Sequence, residues 1–311
     1  MAETTAEAAA RYWDANKEKI KDPTFWMAHP ACRRAINRRV SGSPHEWPLD
    51  WFRRMCAPRV FDRGVSWGCG LGAFERAAIR IGLVREIDAF DVSESSLEAA
   101  KQEAAKEGIA GINYRVGNFD DPALRKRHYD IAFFQASLHH VSALERMFRR
   151  LTMALKVGGV VYVDEFVGPS RSDWTEEHLQ LAQGVLDMVP QEAKLGATIG
   201  LPVELYDPSE GVRAAEIPRF LRTFLDIKEW RPYGGQVVDL VLPYVDSEWA
   251  NSPEGSRYVE AMLSIEDYEL RLSEDRNHHL VAYGTVKKPI GLFRPLARQA
   301  VSAVKRRLPQ I

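Results

Sequence analysis

The sequence predicts an α/β fold, a mainly parallel sheet with helices on both faces. Two observations carry this. From about residue 58, short apolar runs alternate with amphipathic helical stretches, the pattern of strand–helix–strand units. One run, Ile131-Ala132-Phe133-Phe134, is continuously apolar, as expected of a strand covered on both sides. In order, 59–67 reads as the first strand and 74–81 as the helix after it. A second strand at 86–91 leads to a helix at 95–107 capped by Ser93. Strands at Ile112–Val116 and 129–136 follow, then a helix at 144–155 and a fifth strand at 159–166. The regularity weakens beyond Phe166. Residues 174–188 and Ile217–Phe224 read as helices, 227–230 as a strand, and His279–Val286 as a last edge strand.

Three parts are expected. Residues 1–57 form an N-terminal helical cap whose tryptophans (Trp13, Trp26, Trp47, Trp51) serve core or lid packing rather than as substrate platforms. Residues 58–288 form the main domain, with insertions at about 167–215 and 234–277 near one end of the sheet. Residues 289–311 form a basic amphipathic tail.

The 311-residue chain has 42 basic and 43 acidic residues, 45% hydrophobic and 27% charged, which excludes a largely disordered chain. The near-neutral balance gives no nucleic-acid signal. Cys32, Cys56 and Cys69 are too few for a disulfide framework or a four-cysteine zinc site. No run approaches the ~20 apolar residues of a membrane span, and the start lacks an apolar signal core. The expected compartment is a reducing cytoplasm. Residues 287–311 carry seven basic residues and no acidic one, leaving about −8 on the remainder. Such a tail either docks on the domain or lies against the anionic inner face of a membrane. Oligomeric state is not indicated.

The informative stretch is Val65-Ser66-Trp67-Gly68-Cys69-Gly70-Leu71-Gly72, at a strand end with a helix to follow. Glycines at spacing two let the backbone turn sharply and a ligand approach closely. Asp91 ends the next strand, 19 residues after Gly72, where a carboxylate accepts both ribose hydroxyls of an adenosine-type cofactor. The spacing is GxGxG rather than the dinucleotide GxGxxG, and no phosphate-binding GxxxxGK[ST] is present. Val116-Gly117-Asn118-Phe119-Asp120 closes the third strand with polar groups suited to an adenine edge, and Gln135-Ala136-Ser137-Leu138-His139-His140 follows the apolar run.

In these motifs the chain resembles the class I S-adenosylmethionine-dependent methyltransferases, in the branch that includes ubiquinone-biosynthesis-type enzymes. The likeness covers about residues 58–166 well and the rest in outline, and it implies a Rossmann-like fold with S-adenosylmethionine as cofactor. It places Gly68, Cys69, Gly70, Gly72, Asp91, Val92, Asn118, Phe119 and Gln135 around that cofactor. The family's LxxGG turn matches Leu155-Lys156-Val157-Gly158-Gly159. One departure is Ser66, where the family often carries an acid, so the cofactor's amino group needs another partner.

Methyl transfer to an alcohol needs a base. His139 and His140 sit beyond the fourth strand, at the expected acceptor mouth, and Glu165 ends the fifth strand, placed to assist a base or orient a hydroxyl. Asp164 and Glu165 point to opposite faces, so at most one is expected to face the acceptor. No metal-ligand spacing is present, and His278-His279 is expected at the surface. Asp207-Pro208-Ser209-Glu210 reads first as a helix start and second as pocket lining. The FVGPSR (166–171) and DPSE (207–210) segments also resemble methyltransferase-like proteins of bacterial glycan and surface-polysaccharide gene neighbourhoods. The expected acceptor is a sugar or glycolipid hydroxyl. The alternatives are N-, O- or C-methylation of a small metabolite, such as a natural product or quinone-like compound, and a non-catalytic cofactor-binding protein.

Overall fold

A computed structural model describes residues 5–16, 25–118, 124–202, 207–272 and 277–287. Phe119 and the basic tail lie outside the described residues. The chain opens with α1 (Thr5–Asn16), α2 (Pro30–Ser41) and α3 (Pro48–Cys56). It then alternates through β1 (Phe61–Trp67), α4 (Ala73–Arg80), β2 (Val84–Asp91), α5 (Glu94–Lys106), β3 (Ile112–Val116), β4 (Tyr129–Gln135), α6 (Leu144–Ala154) and β5 (Leu155–Phe166). Next come α7 (Glu176–Asp187), α8 (Ile217–Phe224), β6 (Leu225–Gly234), α9 (Val238–Val241), α10 (Ser247–Ala250), α11 (Pro253–Leu272) and β7 (His279–Val286).

The described strands form one seven-stranded sheet in the order β3-β2-β1-β4-β5-β7-β6. β1 to β5 pair in parallel, and β7 is antiparallel to both its neighbours. This is a Rossmann-like, mainly parallel sheet, as expected. His279–Val286, expected at the edge, is instead interior, between β5 and β6. Its first four residues are all buried, as a strand covered on both faces must be. β6 takes the edge and spans ten residues, where only a short strand was expected. Its charged side chains and Pro232 suit that exposed position.

β5 begins earlier than expected. Leu155 pairs with Tyr129, but Val160 pairs with Ile131, so the register shifts between them. The Lys156–Gly159 stretch is thus an irregularity inside the strand rather than a turn before it, with Gly158 at φ +75°.

Alternate side chains of β4 feed two cores, following the two-residue strand period. Ile131 and Phe133 join a cluster with Trp26, Ile36, Phe52, Tyr162 and Val281. Ala132 and Phe134 join one with Trp67, Leu144, Phe148, Phe220 and Leu221. Residues of α2 and α3 therefore share a core with the sheet. Phe52 of α3 packs against Tyr162 with ring centroids 4.6 Å apart.

Phe166 and Gly234 both pair with His279, so the ends of β5 and β6 meet the start of β7 at one end of the sheet. Because β1, β2 and β4 run parallel to β5, Gly68, Asp91 and Gln135 emerge at that same end. The long segments after β5 and after β6 both leave from it, and they enclose the cavity there.

Candidate active site

Beyond β1 the chain turns through Gly68, Gly70 and Gly72 with φ of +65°, +49° and +70°, a region that favours glycine. At Gly72 a Cβ would stand 2.4 Å from the Tyr114 hydroxyl, so space as well as backbone angle demands glycine. Asp91 ties this loop to the end of β2. Its Oδ2 accepts from the Gly70 amide at 2.8 Å and its Oδ1 from the Ser93 amide at 2.9 Å. A carboxylate has lone pairs to spare beyond these two, and Asp91 faces the cavity. Burial raises its pKa, while the Ser93 and Gly70 amides oppose the rise.

Ser66 donates to Glu75 Oε1 at 2.6 Å, and both side chains are buried. The position where the resemblance suggests an acid is thus one hydrogen bond from a carboxylate supplied by α4. Burial pushes that carboxyl up to about 7.

A cavity of about 800 Å³ runs from this loop to the ends of β4 and β5. Gly68, Cys69, Gly70, Asp91, Val92 and Gln135 line it. Gly72 instead stands at the N-cap of α4. Asn118 is exposed at the end of β3 and is not among the lining residues. Cys69 is buried, and burial pushes its thiol well above the ordinary value, which leaves it unreactive. The glycine loop and the Asp91 carboxylate at one end of this cavity fit an adenosine-type cofactor.

At the other end, β4 leads through Ala136, a non-glycine residue at φ +48°, into a 3-10 turn at Leu138–His140. Glu165 shapes this turn. Its Oε1 accepts from the Ser137 and Leu138 amides, both at 2.6 Å, and its Oε2 lies 2.9 Å from His139 Nδ1. His140 Nδ1 lies 3.0 Å from Ser209 Oγ. The two imidazoles are adjacent, with centroids 4.2 Å apart. Glu210 closes the group: its Oε1 is 3.6 Å from His139 Nε2 and its Oε2 is 3.8 Å from His140 Nε2. Burial by itself would lower the pKa of His139, but Glu210, Glu165 and Asp207 carry it up to about 9. Burial lowers His140, and neighbouring His139 adds to the fall.

Three expectations are corrected here. Asp207 does not start a helix: its Oδ1 accepts from the Ser209 amide and hydroxyl at 2.9 and 2.6 Å, a tight local turn. Helix α8 begins only at Ile217, because Gly211 at φ +60° interrupts helical geometry. Arg171 holds the turn, donating through Nη1 to the Asp207 carbonyl at 2.7 Å and through its amide to the Gly211 carbonyl at 2.8 Å. Next, Asp164 and Glu165 both contribute to the cavity wall, because the cavity wraps around the end of β5. The Asp164 carboxylate accepts from the Tyr233 hydroxyl at 2.7 Å, and burial pushes it up to about 6 against that bond. Last, His278 and His279 are buried, not at the surface, because β7 is interior. Burial and then His279 push His278 down to about 3.

Of the tryptophans, Trp26 and Trp51 are core, Trp47 is exposed and Trp13 lines the cavity. Trp13 Nε1 donates to Asp207 Oδ2 at 3.0 Å. Phe166 and Arg171 also form part of the cavity wall. Tyr233, Asp239 and Trp174 also line the cavity. No motif marks them, since their place depends on how the C-terminal half packs.

Residues 65–163 match the family described as a methyltransferase domain. Among solved structures, the fold matches Haemonchus contortus phosphoethanolamine N-methyltransferase 2, in complex with phosphomonomethylethanolamine and S-adenosylhomocysteine. That match has 16% identity and a TM-score of 0.54, covering 92% of this chain and 60% of that one. It also matches geranyl diphosphate methyltransferase in complex with GPP and sinefungin, at 14% identity and a TM-score of 0.53, covering 91% of this chain and 99% of that one. At such identities the structural likeness establishes the fold.

Proposed function

For a chain that belongs to the class I S-adenosylmethionine-dependent methyltransferases through its domain at residues 65–163, we propose that the methyl group goes to a hydroxyl oxygen of a sugar, glycolipid or related acceptor. The observation that carries this reading is the polar, ionisable end of the cavity. His139, His140, Glu210, Asp164 and Arg171 all line the cavity beside apolar walls such as Phe166, Trp174 and Leu240, a mixture able to meet both the hydroxyls and the apolar parts of such an acceptor. A reducing cytoplasm is the compartment in keeping with this reading, and cysteines Cys32, Cys56 and Cys69 are all free.

S-adenosylmethionine supplies a methyl carbon on a sulfonium, a leaving group that needs no proton. The protein's work is therefore to align the acceptor and to help its hydroxyl lose a proton. Gly68, Gly70, Asp91, Val92 and Gln135 hold the cofactor side. His139 and His140 meet the acceptor hydroxyl, and Glu165 acts behind His139 as a positioning residue, fixing both the ring and the turn that carries it.

The test incubates the purified protein with methyl-labelled S-adenosylmethionine and a host extract separated into lipid, polymer and small-molecule fractions. Label is expected in ether-linked methyl groups of the lipid or polymer fraction, and Asp91→Ala should lower both cofactor affinity and incorporation. Label confined to amines or to small aromatic compounds overturns the sugar reading. Cofactor binding without incorporation into any fraction favours a non-catalytic binding protein.

A further inference from the structure

We propose that His139, His140 and Glu210 form a binding site for a divalent first-row transition ion. What the ion does there rests on the O-methyl transfer reading above; that it binds does not. Protons decide which ring nitrogens are available. Glu165 already accepts two backbone amides, and against its carboxylate His139 Nδ1 must be the donor. Ser209 directs its only hydroxyl proton to Asp207 Oδ1, so His140 Nδ1 must donate to Ser209 Oγ. In its neutral form each ring therefore carries its lone pair on Nε2, and both Nε2 atoms are the ones beside the Glu210 carboxylate; on His139 the ion takes the place of the second proton that the surrounding carboxylates favour.

The spacing is close to that of a ligand set. A ring nitrogen of each histidine and a carboxylate oxygen of Glu210 lie within 4.8 Å of one another. Ligands held at ~2.0–2.1 Å by one tetrahedral ion stand about 3.3 Å apart, so side-chain shifts of about 1 Å complete the set. The surroundings are those of a metal site too. Each histidine has its second nitrogen anchored, one by a carboxylate and the other by a hydroxyl itself bonded to a carboxylate, which orients the ring and raises its basicity. Glu165, Asp207 and Glu210 bring three carboxylates to two imidazoles. Arg171, the cation that holds the same turn, is engaged with the Asp207 carbonyl. Two imidazoles with one carboxylate select an ion of the manganese-to-zinc series over magnesium or calcium, which prefer all-oxygen sets.

Three protein ligands leave one position open in tetrahedral geometry, and two when the ion expands to five-coordinate. An acceptor with two neighbouring oxygens, such as a vicinal diol, can occupy them. With the ion bound, the two histidines act on the acceptor through it rather than touching the hydroxyl as bases: coordination lowers the pKa of the bound hydroxyl, and its proton passes to solvent. That oxygen then bonds to the methyl carbon as the carbon–sulfur bond breaks. The sulfur keeps the electron pair, and S-adenosylhomocysteine leaves neutral.

The test strips the full-length protein with a chelator and titrates it with Co²⁺, followed by its visible absorption, with Zn²⁺ and Mn²⁺ as competitors. Wild type is compared with Glu210→Gln and His140→Asn, and S-adenosylhomocysteine affinity is measured on each to show that the cofactor half stays folded. The expected result is one equivalent of Co²⁺ in the wild type. Both variants should bind it weaker by at least ~10–100-fold, the scale on which even outer-shell partners act, with S-adenosylhomocysteine affinity retained. No Co²⁺ binding in the wild type, or equal binding in both variants, overturns the site. Undiminished methyl transfer by the stripped protein overturns the ion's role and leaves O-methyl transfer standing. Co²⁺ bound at the three residues without transfer to any hydroxyl supports the site and overturns the acceptor reading.

Discussion

Glu75 is an acid held where its charged form is disfavoured. It is buried, one carboxylate oxygen is bonded to Ser66, and the other has no hydrogen-bond partner among the described residues. Burial raises its pKa from 4.5 to about 7, so folding favours the protonated form. Its contribution to stability is complete below about pH 4.5 and is lost as the pH rises toward 7. The loss is on the order of 3 kcal/mol. Glu75→Gln cannot titrate, so its unfolding free energy should fall less steeply between pH 5 and 7 than that of the wild type. Denaturant melts across that range check it, and parallel slopes would sink the assignment. The sequence showed the missing acid at Ser66 but not its neighbour, because nine residues and a turn separate the two. The place of Asp91 at the end of β2, facing the cavity, was legible, since it follows from a strand end and a spacing.

At the scale of elements, the buried Arg39–Glu266 ion pair joins four of them. Arg39 of α2 donates through Nη1 to Glu266 Oε1 of α11 at 2.7 Å and to the Tyr233 carbonyl of β6 at 2.8 Å. The other oxygen of Glu266 accepts from the Val237 and Val238 amides, at the start of α9. Removing Glu266 leaves the buried Val237 and Val238 amides without their acceptor, while Arg39 keeps Asp267 and the Tyr233 carbonyl. Glu266→Ala should therefore cost about 2–4 kcal/mol, read as a lower midpoint in denaturant. A cost below about 1 kcal/mol would show that the pair is dispensable. None of this was visible in the sequence, where Arg39 and Glu266 are two ordinary charged residues on amphipathic helices. The alternating core from β1 to β5 was visible, because a two-residue and a 3.6-residue period mark it locally. The β7 insertion was not, since strand order depends on pairing partners that no local pattern names.

Across the whole molecule, α1 links the two halves of the cavity. Trp13 is bonded to Asp207 beside the His139–His140 pair, while Asp14 Oδ1 accepts from the Ser93 hydroxyl at 2.6 Å and the Ser95 amide at 3.2 Å beside Asp91. Tyr12 and Trp13 both line the cavity. These ties are polar and partly exposed, and the buried core is built almost wholly from residues beyond α1. The paired change Trp13→Ala and Asp14→Ala should speed S-adenosylhomocysteine release by roughly tenfold, equivalent to about 1.4 kcal/mol, with little change in thermal midpoint. Stopped-flow release measurements check it, and an unchanged rate would mean that α1 does not gate the cavity. Among the described residues no helix is long and apolar enough to cross a membrane.

The sequence by itself determined the α/β class, most strand positions, the glycine loop and the position of Asp91 at the end of β2. Each depends on neighbours close along the chain or on one regular period. Only the tertiary structure decided that β7 is interior and that His278 and His279 are buried. It alone showed Glu165 turned onto His139, and His139 and His140 meeting Glu210 from a turn some 70 residues away. Those outcomes rest on which distant segments pack together at the end of the sheet, and the free energy of that packing is not written in the spacing of residues along the chain.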